Sequence, residues 1–125
     1  MLNDLKYFPD NTWNQPLNID NKIVEITIQG AKEEPDELYL RLAEKIISNV
    51  DFYLNKSQKQ LNAWNLAKSC MPQISSLYFG DYGYGNGKYM DGGFTVTFSD
   101  SDQHTMHTVK FDMRNTPIGY EMWFA

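Results

Sequence analysis

The sequence predicts an α+β fold: a mainly antiparallel sheet of about five to six strands with a two-helix hairpin packed on one face. Two patterns predict it. Apolar residues recur every three to four positions through 35–71, and every second position through 22–29 and again from 73 to 124. Periods segregated in this way put the helices together against a sheet of largely consecutive strands. A chain of 125 residues suits one domain over 1–125. Such a domain buries roughly two-thirds of the surface that its unfolded chain exposes. Its core needs neither metal nor disulfide, and Cys70 is the only cysteine.

Residues 1–21 are rich in turn formers (Pro9, Asn11, Asn14, Pro16, Asn18, Asn21), with a short strand expected at 12–17. Val24, Ile26 and Ile28 alternate with Glu25 and Thr27, so 22–29 reads as a half-buried strand closed by Gly30. Pro35 suits a first helical turn, where a missing N–H costs nothing, and Asp36 and Glu37 complement the positive end of the helix dipole. Leu38, Leu42, Ile46, Val50 and Tyr53 then trace one amphipathic helix over 35–53. Ser57 and Gln60 resemble a capping box, so a second helix is expected after a break at Asn55 and Lys56, running to about Cys70 and stopped by Pro72.

Strands follow at 74–80, 94–99, 104–111 and 119–124. Phe94, Val96 and Phe98 alternating with threonine make the clearest of them. Residues 80–93 read as a long Gly/Tyr-rich loop, and 99–102 as a hydrophilic turn.

A net charge of −5 and scattered Lys and Arg argue against direct binding to nucleic acid or to an anionic membrane, and favour a basic partner. No basic start with an apolar run resembles a signal peptide, and no stretch approaches a membrane span, so a cytoplasmic location is expected.

No motif nominates a catalytic, cofactor or metal site. In a strand, His104 and His107 point to opposite faces and do not share a metal. Asp81, Asp91, Asp100, Asp102 and Asp112 lack the spacing of a calcium loop. Cys70 lies at the helix end that disfavours a thiolate, and Ser75 and Ser76 lack a nucleophile elbow. The run Gly83-Tyr84-Gly85-Asn86-Gly87-Lys88 leads towards a strand, where a phosphate loop leads into a helix.

What remains is a recognition surface. Tyrosines offer amphipathic area at low entropic cost, and loops on a rigid scaffold often carry binding residues. The expected partner-binding residues are Asp81, Tyr82, Tyr84, Tyr89 and Asp91 of the loop, beside Asp100 and Asp102 of the turn.

The strand Phe94-Thr95-Val96-Thr97-Phe98, the segment 104–111 and the closing Tyr120-Glu121-Met122-Trp123-Phe124, behind a helix pair, resemble small bacterial immunity proteins of polymorphic or contact-delivered toxin systems. The resemblance spans about 22–124 and brings no portable functional residues. It implies a cytosolic, non-enzymatic inhibitor without a cofactor that binds a cognate toxin, a basic nuclease domain being one such partner. Two other readings stand beside it. One is a ligand-binding or enzymatic domain with a dispersed site built from His104, His107, Asp112, Arg114 and Trp123. The other is a homo-oligomeric adaptor joined through the aromatic terminal strand.

Overall fold

The computed structural model describes residues 2–64, 73–84, 89–100 and 104–124, and of Tyr84 and Tyr89 the backbone alone. Among the described residues, seven strands form one sheet in chain order. They are β1 (Lys6–Phe8), β2 (Thr12–Ile19), β3 (Lys22–Gln29), β4 (Gln73–Tyr84), β5 (Tyr89–Ser99), β6 (Thr105–Asp112) and β7 (Pro117–Phe124). Helices α1 (Glu37–Ser48) and α2 (Val50–Ala63) connect β3 to β4, the one parallel pair in an otherwise antiparallel ladder. The α+β class is as predicted. The strand count is higher because β1 forms inside the turn-rich segment and pairs with β2.

The alternation in β3 works as read. Val24, Ile26 and Ile28 are fully buried and meet Leu77 and Phe79 of β4, Phe94, Val96 and Phe98 of β5, and Val109 and Phe111 of β6. Tyr39, Leu42, Ala43, Ile46 and Ile47 of α1, with Tyr53 and Leu61 of α2, close this face. β2 runs past Pro16, which pairs with Glu25, although proline donates nothing to a ladder. It is tolerated because β1 pairs only with residues 12–14, leaving that side of β2 as a sheet edge.

Three expectations need correcting. The helices break at Asn49 (φ −127°, ψ 36°), not at Asn55 and Lys56. The amide of Asn49 turns back to the carbonyl of Ile46 at 3.1 Å, and Phe52 donates to the carbonyl of Asn49. Ser57 is no cap. It is buried within α2, and its hydroxyl donates to the carbonyl of Tyr53 at 2.8 Å, the mid-helix alternative open to serine.

The 80–93 loop is, for the most part, strand: β4 continues to Tyr84, β5 begins at Tyr89, and the two pair throughout. Its glycines mark close approaches inside a sheet. A Cβ on Gly92 would meet the hydroxyl of Tyr39, and one on Gly80 would meet the ring of Tyr78. The tip at 85–88 and the expected helix end with Cys70 and Pro72 lie outside the described residues.

On the face away from the helices, long side chains cover one another. The hydroxyl of Tyr82 donates to the carbonyl of Phe111 at 2.6 Å. Lys110 Nζ donates to the carbonyl of Gly83 and, at 3.0 Å, to Glu121 Oε2. The hydroxyls of Thr97 and Thr108 lie 2.8 Å apart, and Trp123 Nε1 donates to Thr108 Oγ1 at 3.2 Å.

Candidate functional site

The first turn of the chain, the end of β3 and the start of α1 meet at one corner of the sheet. Asn11 (φ 63°) turns β1 into β2, and its carbonyl accepts the amide of Gly30 at 2.9 Å. Trp13 Nε1 donates to the carbonyl of Ala31 at 2.8 Å, and the Asp36 amide to that of Gln29 at 3.0 Å. These bonds tie 31–36 across the end of β3 and leave an open cleft of about 500 Å³ lined by Asp10, Asn11, Gln29, Gly30, Asp36 and Tyr78, among others.

Gln29 and Asp81 organise the floor. Gln29 Nε2 lies 3.3 Å from both Asp36 Oδ2 and Asp81 Oδ2, and its Oε1 accepts the amide of Asp81 at 2.9 Å. Tyr78 donates to the carbonyl of Asp81 at 2.8 Å, and Tyr39 to Asp81 Oδ1 at 2.5 Å. Asp81 thus couples α1 to the sheet.

The carboxylates make the corner electronegative, and the phenols register it. Burial pushes the Tyr39 hydroxyl well above its usual range, helped by the bond to Asp81, by its charge and by Asp36. Tyr78 is likewise raised, first by burial and then by Asp81 and Asp10. Neither Asp10 nor Asp36 has an ion pair with a described Lys or Arg.

A raised phenol has a stability consequence with a definite sign. Above pH 10 the unfolded chain releases protons that folded Tyr39 and Tyr78 retain, so stability should fall as pH rises past 10, until the folded phenols ionise. Tyr39→Phe should flatten that alkaline fall in part, the raised phenols of Tyr78 and Tyr120 sustaining the remainder. It should also cost about 1 kcal/mol at neutral pH through the lost hydrogen bond. Urea unfolding from neutral pH to about pH 11 measures both effects. An unchanged alkaline slope in the variant would show that Tyr39 is not the group retaining its proton.

Of the seven residues expected from the sequence, those whose side chains are described do not form one patch. Asp91 and Asp100 lie near opposite ends of β5, roughly 30 Å apart at the usual rise per residue. Asp81 is engaged in the floor network, and Tyr82 is buried with its hydroxyl on β6. Asp91 is exposed, with Oδ1 accepting the amide of Gly92. Tyr84 and Tyr89 pair through their backbones, and Asp102 lies outside the described residues. Asp10, Gln29, Asp36 and Tyr78 were not singled out as site residues. The sequence signal nearest to this corner is the cluster of Glu33, Glu34, Asp36 and Glu37 around Pro35.

Asp100 instead joins a buried chain. His107, 2% exposed, places Nε2 2.9 Å from Asp100 Oδ2 and Nδ1 2.7 Å from the hydroxyl of Tyr120. Burial, and then the charge of Asp100, raises the Tyr120 phenol, keeping it a protonated hydrogen-bonding group. The dispersed set is not gathered either. Trp123 reaches Thr108 on the face opposite His107. Asp112 lies at the far end of β6, where its carboxylate accepts the amides of Arg114 and Thr116. Among the described residues no group of three His, Cys, Asp or Glu could hold a metal ion, and no helix is long and apolar enough to cross a membrane. No protein-family model matches this chain, and no curated protein or solved structure matches it either.

Proposed function

We propose that this chain is a non-catalytic protein-binding module of the immunity type, which neutralises a basic toxin domain by receiving its Lys or Arg side chains in the cleft at Asp10 and Asp36. The observation that carries this reading is the open, carboxylate-rimmed cleft itself. It has room for side chains and an aromatic wall at Tyr78, and its two rim carboxylates lack a basic partner among the described residues. Exposed Glu33 and Glu34 extend the same field. A nuclease domain, whose own cleft must attract phosphate, is one partner of complementary charge. The net charge of −5 favours the encounter at long range.

The test pairs this protein with a basic toxin domain shown to bind it. Asp10→Asn with Asp36→Asn should slow association roughly tenfold at low ionic strength, with a smaller effect in high salt. The fold should persist, because both side chains are exposed. Association kinetics unchanged by the double variant would remove the cleft from the interface.

A further inference from the structure

The two edges of the sheet are protected very differently. β1 is three residues long and carries Lys6, the short charged edge that discourages pairing. β7 is eight residues long, has its only proline at the first position and contains no Lys or Arg. It pairs with β6 on one side, and no described strand pairs with the other. Its last four described residues are exposed, Met122 by 51% and Phe124 by 73%. An unpaired strand of this length and character is a template for another strand.

On the helix face, the alternating residues Tyr120, Met122 and Phe124 are also symmetric in character, with an aromatic ring on either side of the central methionine. An antiparallel neighbour related by a two-fold axis at Met122 would set Met122 against itself and Tyr120 against Phe124 of the neighbour, on the helix face. On the other face Glu121 would meet Trp123. Aromatic cross-strand pairs of this kind favour pairing, whereas like charges directly opposite oppose it. In this register the only charged side chain of β7 does not face itself. It is already paired with Lys110 at 3.0 Å in its own chain, so neither copy brings an unpaired charge to the contact.

We propose that the outer edge of β7 pairs antiparallel with the same edge of a second copy of this chain, with the two-fold axis at Met122. The contact is isologous and joins two sheets into one. It lies on a different strand from the acidic cleft and does not depend on the function proposed for it. Salt separates the two associations. Two copies each carrying −5 repel at long range, so screening should strengthen the homodimer while weakening a complex with a basic partner.

Sedimentation of the full chain from low to high micromolar concentration should show a reversible monomer–dimer equilibrium. Met122→Lys and Phe124→Lys should each weaken it by roughly tenfold or more with an unchanged circular dichroism spectrum. In a Cys70→Ala background, Met122→Cys should oxidise to a covalent dimer and Ile118→Cys, off the axis, should not. A chain that stays monomeric throughout overturns the proposal. So does a dimer that both lysine variants leave intact, or one in which Ile118→Cys cross-links and Met122→Cys does not.

Discussion

Phe94→Ala should lower the unfolding free energy by about 3–5 kcal/mol, a large share of the roughly 5–15 kcal/mol available to a domain of this size. Phe94 is 0% exposed at the centre of β5, the strand that joins the two halves of the β4–β6 ladder. Its ring stacks on Phe111 at 4.6 Å and 4°, lies 5.9 Å from Phe79, and receives the edge of Tyr53 from α2 at 5.6 Å and 88°. Truncation therefore removes one of the contacts by which α2 holds the sheet as well as the apolar surface of one ring. The neighbouring rings belong to β4 and β6, whose ladder bonds to β5 limit collapse into the void, which places the cost in the upper half of the range. Denaturant unfolding measures it. Phe94→Leu, which refills part of the volume, should recover about half of the loss. A loss below about 1 kcal/mol for Phe94→Ala would mean that the aromatic row is not the centre of the core.

Much of this row was legible in the sequence, because its residues obey a local rule. The alternation of Val24, Ile26 and Ile28 marked β3 at the bounds the structure shows, and that of Phe94, Val96 and Phe98 marked the core face of β5. Helix α1 was legible through its 3.6-residue period, but the break after it was not. Val50 and Tyr53 continue the apolar stripe across Asn49, so periodicity alone sees no interruption. The hairpin at 80–93 failed for a different reason. Glycine is a turn signal locally, but Gly92 is required because Tyr39, from a helix distant in sequence, lies against it. The acidic cleft was hidden in the same way. Gln29 and Asp81 are 52 positions apart, and their bonding follows from the parallel β3–β4 pairing that no local pattern announces.

Gly93→Ala should be among the most destabilising small substitutions in the chain, costing about 3 kcal/mol or more. Gly93 has φ 154°, a region that L residues rarely adopt, and it pairs with Gly80 on one side and Asp112 on the other. A Cβ placed there would overlap the carbonyl oxygen of Phe111 and lie 2.9 Å from the carbonyl carbon and 3.0 Å from the Cα of Asp112. All three atoms are backbone, so relief requires β5 and β6 to separate. The same Phe111 carbonyl accepts the hydroxyl of buried Tyr82, so separation would also disturb the packing of the helix-free face. Gly92→Ala is the informative comparison. Its Cβ would meet side-chain atoms alone, the Tyr39 hydroxyl and Asp81 Oδ1. Removing that hydroxyl with Tyr39→Phe should therefore make Gly92→Ala less costly, a coupling that a double-mutant cycle reads directly. The same cycle at Gly93 should show no coupling to Tyr39, because no side-chain truncation moves the backbone of β6 out of the way. Coupling at both positions would mean that the two strands yield more readily than their ladder implies, and that the glycines at 92 and 93 serve the same ring.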